Sequence, residues 1–142
     1  MYLLDTDYAV LIQKKMGAEV QRLFDKMAMH SPSSFHYPIV AFHEQVLGAN
    51  SYIARTQSTA QMIRGYEILS QILIDFAAAR VLPYDQGAAD IFVQLRKSKI
   101  RIGTMDLRIA SIALSRNLTV LTRNLVDFQR IPGLKVEDWT VS

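Results

Sequence analysis

Oxygen donors stand at a few places in this sequence where chemistry could use them. Asp5 closes the apolar run Tyr2-Leu3-Leu4, Glu44 falls mid-helix, Asp106 falls in the first turn of a later helix, and Thr122, Asn124 and Asp127 follow a late apolar run. A carboxylate just after a short apolar strand lies at the carboxyl edge of a sheet. Open α/β sheets bind ligands at that edge, where neighbouring crossovers leave in opposite directions. Each acid also has an ordinary explanation. Asp5, Thr6 or Asp7 can cap the following helix, Asp106 can complement a helix dipole, and a Glu at the border of a buried stripe can reach water. Glu44 shares a helix face with Val40, Leu47 and Gly48. Keeping it ionised there calls for a cation or for hydrogen-bond donors.

The elements that must position these groups follow from periodicity. Residues 8–15 predict a helix stopped near Gly17, and Val20, Leu23, Phe24 and Met27 give an amphipathic helix over 18–30. A loop at 31–34 leads to a strand at 35–37, with Pro38 opening the helix that carries Glu44. Residues 50–56 continue that helix or connect it to the next. The segment 57–79 predicts a long helix with Met62, Tyr66, Leu69, Leu73 and Phe76 on one packed stripe, and Gly65 as an internal weakness. A strand at 80–84 ends at Pro83. Asp85 caps a helix that buries Ala88, Ile91, Phe92 and Leu95 and turns Asp90 to solvent. The helix over 102–114 is apolar on most sides and therefore central. Strands at 119–122 and 134–136 complete an alternation that predicts an α/β fold in one domain, residues 1–142.

Composition narrows the class. At 142 residues with 50% hydrophobic and 20% charged, the chain can bury a proper core, and with no cysteine it needs no disulfide. No secretory signal and no apolar run of membrane-spanning length is apparent, so a cytoplasmic protein is expected. His30, His36 and His43 are isolated and do not form a ligand set. The net charge is +3, a modest excess concentrated at Arg96, Lys97, Lys99, Arg101, Arg108, Arg116, Arg123 and Arg130. Such a run is either a solvated face or a phosphate contact.

Together these pieces resemble the PIN-domain proteins of the VapC type, the toxin half of type II toxin–antitoxin pairs. The resemblance rests on Leu-Leu-Asp-Thr-Asp at the start, Pro38 to Gly48 around Glu44, Gly103-Thr104-Met105-Asp106-Leu107-Arg108-Ile109-Ala110, Leu121-Thr122-Arg123-Asn124 before Asp127-Phe128, and a final Gly-Leu-x-Val-x-x-Trp. It implies a three-layer α/β/α PIN-like fold with a central parallel sheet of four or five strands. It also implies an acidic site in which Asp5, Glu44 and Asp106 are the catalytic acids, with Asp5 and Asp106 the metal ligands. Thr6, Thr122, Asn124 and Asp127 would support them. The basic excess then offers phosphate contacts around the rim of such a site, Arg108 and Arg123 being closest in sequence to the acids and Arg96, Lys97, Lys99 and Arg101 further out. The fourth acidic position of the family falls at Asn124 or at Asp127. Ala41 and Gln45 also depart from the family pattern, which more often has Thr and Leu there.

A set of oxygen donors without Cys or His suits Mg²⁺, or Mn²⁺ in its place. Carboxylates gathered without a cation repel one another and some take up protons. The expectation is a Mg²⁺-dependent endoribonuclease that leaves 5′-phosphate and 3′-hydroxyl ends, partnered by an RNA substrate and a cognate antitoxin, and forming a homodimer. The apolar helix 57–76 offers a surface for the dimer or the antitoxin. Alternatives are a free-standing PIN nuclease in RNA processing and a non-catalytic RNA- or protein-binding module. A phosphoacceptor receiver domain fits less well, because Thr6 separates the first acids and Arg123 follows the fourth strand.

Overall fold

Leu3 and Leu4 point to opposite faces of one strand and both are fully buried, so the sheet they belong to is covered on both sides. In this computed structural model, which describes residues 1–141, that strand is β1 (Tyr2–Leu4). It pairs in parallel with β2 (Phe35–Pro38) on one side and β4 (Thr119–Leu121) on the other, with Leu4 opposite Leu121. β3 (Val81–Leu82) and β5 (Val136–Glu137) add the edges, giving a five-stranded parallel sheet in the order β3-β2-β1-β4-β5. The chain leaves β1 towards β2 and β3, then crosses to β4 and β5. The crevice of such a sheet opens between β1 and β4. Asp5 and Thr122 are the next residues beyond those two strands.

Helices cover both faces. α1 (Thr6–Lys14) and α2 (Ala18–Met27) pack Tyr8 and Leu23 with Leu4, Phe35, Leu121 and Trp139. α5 (Gln86–Lys97) and α6 (Thr104–Ser115) close the other face over Leu3, Val120 and Phe128, the last of these in the short α7 (Leu125–Phe128). α6 buries Leu107 and every residue from Ile109 to Ala113, as its apolar circumference predicts. The result is a three-layer α/β/α arrangement. Among the described residues no helix is long and apolar enough to cross a membrane.

Several boundaries differ from expectation for local reasons. α1 ends on Lys15 in the left-handed region at φ 55°, whereas Gly17, at φ 101°, precedes α2 as its N-cap and is not the stop of α1. Pro38 closes β2, and α3 (Ile39–Ala54) starts one residue later. The last strand lies at Val136–Glu137, beyond the expected 134–136, because pairing with Val120 and Leu121 sets its register.

The larger difference is in α4 (Thr59–Ala77). Of its expected stripe only Phe76 is buried, while Tyr66 and Leu73 are 56% and 64% exposed. The line that packs is Gly65, Ile72 and Phe76, against Ala41 and Ala49 of α3. Both stripes have helical spacing, and the bare backbone of Gly65 decides which one faces α3. A Cβ there would stand 2.6 Å from Ile53 Cγ1 and 3.2 Å from Tyr52 Cδ1. Gly65→Ala in an open helix would gain about 1 kcal/mol. Here overpacking costs about 1–3 kcal/mol, so the helix gain is cancelled or outweighed and a net loss of about 0–2 kcal/mol is expected in urea denaturation. A more stable variant would show that α3 and α4 do not meet at this contact.

Candidate active site

Asp5 both caps a helix and lines the crevice. Its Oδ1 accepts from the Tyr8 backbone N–H at 2.9 Å, capping α1, and its Oδ2 accepts from the Thr122 hydroxyl at 2.5 Å. The residue is only 5% exposed. Burial pushes its carboxyl from an ordinary 3.8 up to about 6; the two hydrogen bonds oppose that rise, and the charges of Asp7 and Asp106 add to it. Thr122 is itself fully buried, and its oxygen accepts the Asn124 backbone N–H at 2.9 Å. That bond leaves the hydroxyl proton directed at Asp5.

The other acids arrive from separate elements. Glu44 stands half-buried on α3, and its Oε1 accepts from the Thr6 hydroxyl at 2.6 Å. The face predicted for it runs from core to solvent: Val40 is buried, while Leu47 and Gly48 are exposed. Asp106 is half-buried in the first turn of α6. Its carboxyl is raised, first by burial and then by the charges of Glu44 and Asp127, with the Asn124 amide opposing. Asn124 Nδ2 donates to Asp127 Oδ2 at 3.0 Å. Asn124 and Asp127 therefore share the place for which they are alternatives in the sequence.

Asp106 thus stands within range of the charges of Asp5, Glu44 and Asp127 and links the acids near the switch point. Among the described residues, however, no three His, Cys, Asp or Glu side chains are drawn close enough to form a ready metal-ligating group. The donor chemistry still fits Mg²⁺, which keeps several waters and takes only one or two protein carboxylates. Asp5 and Asp106, the two whose carboxyls are raised, are the groups that a cation would relieve.

The arginines behave differently from one another. The Arg123 guanidinium, for which the sequence offers a phosphate contact, is taken by Asp7 in a two-point pair, Nε at 2.6 Å and Nη2 at 2.7 Å, and Glu19 binds its remaining arm. It braces α1 and α2 against the end of β4. Among the described residues Arg108 has no such partner: it lies across the Phe92 ring, with Nη1 3.5 Å from Met105 Sδ. Gln45, a departure from the family pattern, accepts from Gln13 at 3.0 Å and ties α3 to α1, while Ala41 is fully buried in packing.

One bracing network was not legible in the sequence. The buried Tyr8 hydroxyl donates to Asp138 at 2.6 Å and accepts from the Trp139 backbone at 2.6 Å. Asp138 also accepts from Thr140. Burial pushes the Asp138 carboxyl up, but the bonds from Thr140 and Tyr8, with the charge of Arg123, hold it below its usual value. The sequence carried only the terminal Trp as a signal.

Because folding raises the Asp5 carboxyl from 3.8 to about 6, its contribution to stability is intact below pH 4 and is lost as pH rises through 6. At pH 7 the buried charge costs about 2–3 kcal/mol. Asp5→Asn keeps the oxygen that caps α1 and removes that charge. In metal-free buffer the variant is expected to be more stable by about that amount at pH 7 and to match the wild type below pH 4. Urea denaturation across this range checks it, and a constant difference would place the carboxylate in water.

No family model matches the chain. It is 31% identical over 147 residues to the tRNA(fMet)-specific endonuclease VapC of Shigella flexneri, covering 98% of each. It is 28% identical to the tRNA(fMet)-specific endonuclease VapC of Salmonella typhimurium, covering 97% of each. Among solved structures, FitAcB from Neisseria gonorrhoeae superposes with a TM-score of 0.72 at 26% identity, over 98% of both chains. DNA-bound VapBC from Salmonella typhimurium does so with a TM-score of 0.70 at 27% identity, over 97% of both chains. Similarity of this extent, end to end and on the same parallel sheet, means that the chain belongs to the VapC family of PIN-domain toxins.

Proposed function

We propose that the protein is a Mg²⁺-dependent endoribonuclease, the toxin of a type II toxin–antitoxin pair. The observation that carries this reading is the Asp5 carboxylate, held out of water at the switch point with Asp106 near enough to raise its pKa. Asp5 and Asp106 would hold the ion. When bound, it would supply Lewis acidity, offsetting negative charge that gathers on the phosphodiester as water attacks. Glu44 has one carboxylate oxygen engaged by Thr6 and would use the other to orient the attacking water and accept its proton. Thr122 keeps Asp5 aimed, and Asn124 and Asp127 would orient water or phosphate oxygens at the opposite rim.

The similarity to curated VapC nucleases supports RNA cleavage, and the similarity to toxin–antitoxin complexes supports a cognate antitoxin. The antitoxin's C-terminal segment would lie over the pocket. Ile63, Tyr66, Leu73 and Ile74 on α4 are each more than half exposed, which supports a protein contact there with the antitoxin or a second copy.

RNA incubated with Mg²⁺ should be cleaved by the wild type, and EDTA should stop the reaction. Asp5→Asn and Asp106→Asn should each lower the rate about 100-fold or more. Mg²⁺ should also raise the melting temperature of the wild type and leave both variants unchanged. Wild-type rates in either variant would remove these acids from the site.

A further inference from the structure

Between Asp90 and Asp106 the sequence has Arg96, Lys97, Lys99 and Arg101 and no acid. The fold adds Arg108 to this group. α5 and α6 form an antiparallel hairpin, tied at one end by Arg116 and Asp85 at 3.2 Å. Towards the other end, the guanidinium carbons of Arg96 and Arg108 lie 5.6 and 5.8 Å from the centre of the Phe92 ring. Tyr84 meets the same ring edge-on at 6.3 Å. Arg64, Arg116, Arg123 and Arg130 are each paired with a carboxylate. Among the described residues neither Arg96 nor Arg108 is.

Arg108 follows Asp106 by two residues and so leaves α6 on another side, but its guanidinium turns back to Met105, in the first turn of the helix that also carries Asp106. Arg130 reaches from the Arg101 carbonyl, at 2.9 Å, to Asp127, at 3.8 Å, so the basic turn after α5 sits beside the acidic rim. A pocket of carboxylates repels a polyanion, and cations at its border must hold the backbone that it would otherwise reject. Guanidinium groups stacked on a ring lose little freedom when they bind, and they present parallel N–H edges that match a phosphate.

We propose that Arg96 and Arg108, stacked on Phe92, form a phosphate-binding ledge for the RNA strand leading away from the acidic pocket. The proposal rests on the ribonuclease reading above. An acidic protein segment would also meet positive charge here, but protein interfaces bring apolar contact at their centre. On this stretch the one large hydrophobic side chain that is well exposed is Val93, and the Phe92 ring is covered by the arginines.

Fluorescence anisotropy with a labelled single-stranded RNA of about 12 nucleotides, in EDTA so that nothing is cleaved, reads the ledge apart from catalysis. Arg96→Gln with Arg108→Gln is compared with Arg64→Gln with Lys135→Gln, which changes net charge equally at distant exposed sites. The ledge variant should bind about tenfold more weakly, and its log–log salt slope should fall by about 1.4, the value for two lost single-strand phosphate contacts. Phe92→Leu should weaken binding partway with little change in slope. A ledge variant with the affinity and slope of the control overturns the proposal. Loss of an acidic peptide's binding with RNA binding unchanged would also overturn it, in favour of a protein partner. Cleavage with Mg²⁺ separates the two readings. A wild type that shows the ledge-dependent slope but cleaves nothing keeps the ledge and refutes the nuclease; one that cleaves while the ledge variant equals the control does the reverse.

Discussion

A carboxylate held out of water among other carboxylates is the constraint on which the rest of the molecule depends. Leaving Asp5 ionised at the end of β1 is unfavourable, and the fold offsets that cost only in part, with the Thr122 hydroxyl and the Tyr8 N–H. Asp106 adds like charge from α6, and Glu44 and Asp127 act on Asp106 in turn. A hydrophobic substitution would relieve the strain more cheaply, as happens when buried ion pairs are replaced by apolar residues. The acids are therefore better understood as a standing demand for positive charge than as a source of stability.

Meeting that demand at a defined place requires the acids to be held still, and the connections around β1 and β4 supply this. Successive residues after β4 divide the work. Thr122 turns in to Asp5, Arg123 turns out to Asp7 and Glu19, and Asn124 turns to Asp127. The same α1 that Asp5 caps is anchored further along by the Tyr8–Asp138 bond, so both ends of the chain brace the first strand. Exposed ion pairs contribute little to stability singly. Their value here is geometric: a two-point Arg123–Asp7 pair sets how the end of β4 lies against α1 and so where Thr122 aims.

How far the sequence reveals this follows from the range of each interaction. Asp5, Thr122 and the strands that carry them were legible because a short apolar run followed by polar residues is a local pattern, and parallel pairing then brings Leu4 beside Leu121. The central character of α6 was legible for the same reason. The choice of buried face on α4 was not, since two apolar stripes compete and the decision lies in the close approach of Ile53 to Gly65. The partners of Arg123 were equally hidden: Asp7 and Glu19 lie more than 100 residues away in the chain. The register of β5 depended on β4 and not on its own composition.

Charge shows most clearly why position outweighs count. A net +3 is unremarkable for 142 residues, and the cluster of cations in the last third reads along the chain as one basic block. Folding divides it. Arg116 and Arg123 are taken up by Asp85 and by Asp7 and Glu19, each holding one element against another, while Arg130 pairs locally with Asp127 and reaches the Arg101 carbonyl. Among the described residues, Arg96 and Arg108 on the α5–α6 hairpin stay without a carboxylate, on the side of the molecule where Arg130 links the turn after α5 to Asp127. Attraction and repulsion for one polyanion are thus set side by side, and at such a border the potential changes sign over a short distance. On the proposed reading, a phosphate backbone drawn to the basic side would enter the acidic side only where a cation had neutralised it, so binding and cleavage would need separate positive charges, one from arginine and the other from the ion.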